Sequence, residues 1–121
     1  MDRRGDNKDI RYESPLFIDS LTNLYNRYFL FNIFPKIKEE AKSQGTESTI
    51  FMLDIDNFKY VNDSYGHLRG DSVIKEVAGL LKECVRGDDI VIRYAGDAYV
   101  VLCKGACYDL VKLIGDRKSV V

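Results

Sequence analysis

The chain has no tryptophan, one histidine, two prolines and two methionines in 121 residues. Its three cysteines, Cys84, Cys103 and Cys107, are an odd number, and no second Cys/His pair completes a zinc site with the Cys103 and Cys107 spacing. They read as buried or free thiols. The lone histidine, His67, sits in a Tyr-Gly-His turn with no serine or cysteine nucleophile obviously paired to it, which favours a structural or hydrogen-bonding role over general-base catalysis. No apolar run approaches the roughly 18 residues of a membrane span, and the opening MDRRGDNKDIRYES lacks the apolar core of a signal peptide. The expectation is no membrane segment and a cytoplasmic location. Lysine and arginine number 18 against 19 acidic residues, a formal net charge of -1, so the broad basic surface used for sequence-independent nucleic-acid binding is lacking. Nucleic acid is not an expected partner; a nucleotide is compatible with this balance.

What remains is ordinary for one globular domain, with 45% hydrophobic residues. Residues 1–14 are polar and read as a flexible lead, which leaves residues 15–121 for the domain. From Asn26 to Lys42 the apolar residues Phe29, Leu30, Ile33, Phe34, Ile37 and Ala41 fall at helical spacing behind an Asn26 cap. Pro35 interrupts that helix and predicts a kink or a break. Thr49 to Ile55 reads as a buried strand ending near Asp54, and Asn57 to Asp63 as a short helix. Gly66 and Gly70 then punctuate a loop. Val73, Ile74, Val77, Leu80, Leu81, Cys84 and Val85 predict a helix from Ser72 to Arg86. Ile90 to Tyr94 and Tyr99 to Cys103 flank Ala95 to Ala98 as a hairpin, and a short apolar stretch follows from Tyr108 to Ile114.

Two acidic turns stand out, one in LDIDNFKYVNDSYGHLRGD (Leu53 to Asp71) and one in AGDAY (Ala95 to Tyr99). With Asp54 at a strand end and Asp97 at a hairpin tip beside it, two carboxylates can share Mg²⁺ with a triphosphate, because this ion prefers hard oxygen ligands and keeps water and phosphate in its shell. Two such ions can activate a hydroxyl and stabilise a pyrophosphate leaving group, which is nucleotidyl-transfer chemistry. The alternative is that Asp54, Asp56 and Asp97 are simply turn acids.

The blocks DSLTNLYNRYF, LDIDNFKYVNDSYGHLRGD, RGDDIVIRY and AGDAYVVL, in that order from Asp19 through Leu102, resemble a GGDEF domain, the diguanylate cyclase family that makes cyclic di-GMP from two GTP. The resemblance implies an α/β (α+β), palm-like nucleotidyl cyclase fold with an antiparallel central sheet. It also implies Asp54, the Ile55 carbonyl and Asp97 as metal ligands for Mg²⁺, with Asp97 activating the 3′-hydroxyl. Phe58 and Lys59 are implied near the phosphates, Lys59 as a catalytic charge, and Asn62 and Asp71 on the guanine edge. A carboxylate accepts from guanine N–H groups and an amide both donates and accepts, so the pair suits that base. Asp71 has a second reading as the cap of the following helix. Arg86 and Asp89 match the family's inhibitory cyclic di-GMP site, and Arg86 alternatively belongs to an ordinary helix ending before Gly87.

The chain departs from the family pattern in two places. Its signature is Ala-Gly-Asp-Ala-Tyr, in which Ala95 adds a Cβ where positive φ or a close phosphate would favour glycine, and Ala98 removes a carboxylate. The family also continues through further helices and strands after the hairpin, so the domain reads as partial and C-terminally truncated, and an uncovered sheet edge implies homodimer formation or strand exchange. The expected function is a degenerate module that binds GTP or cyclic di-GMP with weak or no cyclase activity. The alternatives are an active diguanylate cyclase releasing pyrophosphate, and a scaffold that keeps only the fold.

Overall fold

Alternation along one strand organises the molecule: Tyr99, Val101 and Cys103 point to one face of the sheet and Val100 and Leu102 to the other, and all five are buried. A strand apolar on both faces must be covered on both, and this one is. The computed structural model describes residues 14–104 apart from 86 and 88. After a 3₁₀ turn at Pro15–Phe17 the elements are β1 (Tyr25–Asn26), α1 (Arg27–Gln44), β2 (Ser48–Asp54), α2 (Phe58–Tyr65), α3 (His67–Cys84), β3 (Ile90–Ala95) and β4 (Ala98–Lys104). The sheet order is β1-β3-β4-β2. β4 runs antiparallel to both β3 and β2, and β1 adds a two-residue parallel pairing to β3. The fold is α/β, with the anticipated antiparallel centre.

On one face Val73, Ile74, Val77, Ala78 and Leu81 of α3 pack against Tyr99, Val101 and Cys103. On the other, Phe29, Leu30, Ile33 and Ile37 of α1 pack with Phe17 against Ile92, Val100 and Leu102. The Tyr99 hydroxyl donates to the Ile74 carbonyl at 2.8 Å, tying β4 to α3, and burial pushes its pKa up to about 12. Three expectations change. α1 is not broken at Pro35 but continues to Gln44, capped by Asn26 Oδ1 on the Phe29 N–H and by Gly45 at φ 67°. Pro35 is exposed, so the Phe31 carbonyl that loses its helical partner sits on the water side. α3 begins at His67 rather than Ser72, taking Gly70 inside the helix, and it ends at Cys84. Among the described residues β2 is an edge strand instead of a buried one, with Ile50 45% and Met52 66% exposed, because α1 lies mainly over β1 and β3.

The apolar stretch from Tyr108 to Ile114 and the polar lead up to residue 13 lie outside the described residues. Among the described residues no helix is long and apolar enough to cross a membrane.

Candidate functional site

The ends of β2 and the β3–β4 hairpin meet through backbone register. Asp54 stands opposite Ala98, and the Ile55 N–H donates to the Asp97 carbonyl at 3.1 Å. Gly96 and Asp97 form the two-residue turn, so Asp97 is held beside the Asp54–Ile55 segment by a ladder of main-chain bonds. The sheet thus brings Asp54, Ile55 and Asp97 together. Ala95 costs nothing in backbone strain: the positive-φ residues other than glycine, among those described, are Asn23 and Asn57, and a Cβ added at Gly96 would meet open space. The backbone angle at Ala95 therefore does not call for glycine. Ala98 is different, since the residue facing Asp54 is an alanine and offers no side-chain oxygen to a shared ion.

No group of three or more histidine, cysteine or acidic side chains converges on a metal site among the described residues. Two carboxylates remain, Asp54 exposed and Asp97 partly buried, with the Ile55 main chain next to them. Such a set of hard oxygens fits Mg²⁺ whose remaining positions are filled by water and phosphate, and fits a self-sufficient protein cage poorly.

Directly after this segment Asn57 adopts φ 57° and turns the chain into α2 without giving a side-chain cap. The first N–H groups of α2, at Phe58 and Lys59, are therefore left as donors at the positive end of the helix, which is where an anion is stabilised. The Phe58 ring packs on the core, while Lys59 extends into solvent and pairs with Asp63 at 2.9 Å. That exposed pair is weak enough to yield its lysine to a phosphate.

Asn62 lies on α2 and Asp71 on α3, and the two helices pack together. The Asn62 side chain lies against the backbone of Gly70, the residue before Asp71: a Cβ built at Gly70 would run into Asn62 Oδ1 and lie 3.1 Å from its Cγ. Asp71 is exposed in the first turns of α3, whose cap position is Gly66, so the capping role for Asp71 is corrected. Asp89 sits just ahead of β3 and lines a cleft with Asn23 and Lys82. Its expected partner Arg86 lies outside the described residues.

One pair escaped the sequence reading. Asp19 accepts hydrogen bonds from the Thr22 N–H at 3.0 Å, from Thr22 Oγ1 at 2.7 Å and from Arg93 Nη1 at 3.2 Å, and Arg93 Nη2 donates to the Gly96 carbonyl at 3.0 Å. Partial burial alone would raise the Asp19 pKa, but the bonds from Thr22 and the Arg93 charge outweigh it and hold the carboxyl below its ordinary value. The turn after β3 is thus braced from the N-terminal side. Both residues lie inside the blocks already singled out, yet 74 positions apart, where no spacing rule pairs them.

A sheet with this register, two acids at adjoining strand ends and an uncapped helix start define a nucleotidyl-cyclase type of domain. Residues 16–114 match the family described as diguanylate cyclase, GGDEF domain, and the chain belongs to that family. It is similar to the diguanylate cyclase DosC of Escherichia coli strain K12, 38% identical over 85 residues that cover 70% of this chain and 18% of DosC. It is also similar to the cyclic di-GMP phosphodiesterase NbdA of Pseudomonas aeruginosa, 39% identical over 84 residues, 69% of this chain and 11% of NbdA. The chain thus spans under a fifth of the length of either relative. Among solved structures, the GGDEF domain of DgcB from Caulobacter crescentus in complex with cyclic di-GMP superposes with a TM-score of 0.78 at 30% identity, covering 86% of this chain and 61% of that one.

Proposed function

We propose that this member of the cyclic di-GMP signalling family is a degenerate GGDEF module that binds a guanine nucleotide, GTP or cyclic di-GMP, and turns GTP over weakly or not at all. The observation that carries the reading is the strand register: Asp97 is retained beside Asp54, whereas the residue opposite Asp54 is Ala98. Asp54, the Ile55 carbonyl and Asp97 would hold Mg²⁺, the cofactor that GGDEF diguanylate cyclases generally use. When bound, that ion would neutralise the triphosphate, and the Phe58 and Lys59 N–H groups with the Lys59 ammonium would orient it. Asn62 and Asp71 would read the guanine edge. Removing one carboxylate weakens metal-assisted activation of the 3′-hydroxyl more than it weakens binding, because base and phosphate contacts come from other residues. Arg86 and Asp89 are kept as the proposed product site, in a cytoplasmic module that associates as a homodimer through the edge of β2, which pairs with no outer strand among the described residues.

The relatives support the family's chemistry without deciding this chain's activity, since one is named for making cyclic di-GMP and another for degrading it. Calorimetric titration with GTP, with and without Mg²⁺, tests the site. Mg²⁺ should tighten binding at least about tenfold, and Asp54→Ala and Asp97→Ala should each abolish that gain. Mg²⁺-independent affinity, unchanged in both variants, would sink the assignment.

A further inference from the structure

We infer that Gly70 is a positioning residue for base recognition: its missing side chain is the space in which the Asn62 amide is seated against α3, at the residue before Asp71. This rests on the guanine reading of Asn62 and Asp71 and adds a residue that touches no ligand. Gly70 is buried in the interior of α3, and its φ is not in the left-handed region, so backbone freedom does not explain a glycine there. Within a helix, glycine is less favourable than alanine. The close approach supplies the reason. A Cβ at position 70 would overlap Asn62 Oδ1, crowd Asn62 Cγ at 3.1 Å and touch Phe58 Cζ at 3.4 Å.

The contact falls on the Oδ1 edge of the amide. Asn62 is partly exposed, and among the described residues no protein group hydrogen-bonds its side-chain amide, so its hydrogen-bonding capacity is not spent within the protein. The surrounding anchors are rigid. Val61, one residue before Asn62, is in the core, and Val73 and Ile74 follow Asp71 into the same core, so neither helix can swing away to accommodate a methyl group. A methyl at position 70 therefore moves the Asn62 side chain, the softest group in contact, and leaves Asp54, Asp97 and the start of α2 in place. The consequence is selective: base discrimination is lost while Mg²⁺-dependent phosphate binding stays.

The experiment compares the chain with Gly70→Ala, Asn62→Ala and the double variant, measuring GTP and ATP affinity with Mg²⁺ and the thermal midpoint of each. The unmodified chain should favour GTP by about tenfold or more, and Gly70→Ala should bring the ratio near unity with ATP affinity unchanged. In the Asn62→Ala background Gly70→Ala should have no further effect on the ratio. The melting data give an independent sign test. Gly70→Ala should lower the midpoint when Asn62 is present and raise it when Asn62 is alanine, because the clash is gone and only the helix preference for alanine remains. A GTP preference that survives Gly70→Ala, or a melting shift of the same sign in both backgrounds, overturns the inference. Equal GTP and ATP affinity in the unmodified chain instead overturns the guanine reading on which it rests.

Discussion

Replacing Arg93 by glutamine removes the one long-range ion pair that spans from the N-terminal turn to the β3–β4 hairpin among the described residues. The magnitude follows from its setting. The Arg93 and Asp19 side chains are 18% and 21% exposed, so screening is less than at an open surface, where such pairs contribute about 0–1 kcal/mol. Neither is fully buried, so the loss falls short of the roughly 3–5 kcal/mol of a buried pair broken on one side. The two Arg93–Asp19 contacts come from one nitrogen at 3.2 Å and count as one bond, and water can replace the Arg93 donor at the exposed Gly96 carbonyl. A destabilisation of about 2 kcal/mol is expected, which moves the urea midpoint by about 1 M at an unchanged slope. The pH dependence has a definite sign. The Asp19 carboxyl is held below its ordinary 3.8, so the pair stabilises the fold above the unfolded-state pKa and loses this contribution as pH falls through the folded-state value. The gap between the chain and Arg93→Gln should therefore shrink on acidification below about pH 4. Circular-dichroism melts in urea across that range measure it. A variant within about 0.5 kcal/mol of the parent at pH 7, or a gap that widens in acid, would refute the reasoning.

Three other perturbations have expected outcomes. Pro35→Ala should stabilise the chain by about 2 kcal/mol, since the Phe31 carbonyl regains a helical partner and the gain exceeds the extra freedom of the unfolded chain; an unchanged urea midpoint would contradict this. Tyr99→Phe should cost about 1 kcal/mol, because it deletes the bond to the Ile74 carbonyl without opening a cavity; a more stable variant would show that the buried hydroxyl is a net burden. Cyclic di-GMP binding should weaken about tenfold or more in Arg86→Ala, and calorimetry showing unchanged affinity would remove Arg86 and Asp89 from the ligand site.

The parts of the fold visible in the residues are those with strong local periodicity. The apolar stripe of α3 and the alternation on either side of the Gly96–Asp97 turn required no tertiary knowledge, and the Asn26 cap was legible from one side chain. The errors came where distant packing overrides a local signal. Gly70 reads as loop punctuation, but it lies inside α3, where the lack of a Cβ leaves room for the Asn62 side chain. Pro35 reads as a kink or a break, and the break does not occur: α1 runs on through it with the Phe31 carbonyl on the water side. β2 reads as buried from composition, although its place at the sheet edge exposes every second side chain. β1 is two residues long and leaves no pattern at all. The acids of the site were found because they terminate strands, whereas the Asp19 and Arg93 pair depends on a fold that brings the first turn onto the hairpin. The effect of Ala95 could be judged only from the backbone angles.

The most direct test mixes the full chain with GTP and Mg²⁺ in a calorimeter and then separates the nucleotides from the same sample. Saturable binding with GTP recovered essentially intact is the predicted result, with Ala98→Glu tightening the Mg²⁺ dependence by restoring the acid opposite Asp54. Accumulation of cyclic di-GMP and pyrophosphate that disappears in Asp97→Ala would contradict the account and make the chain a working cyclase.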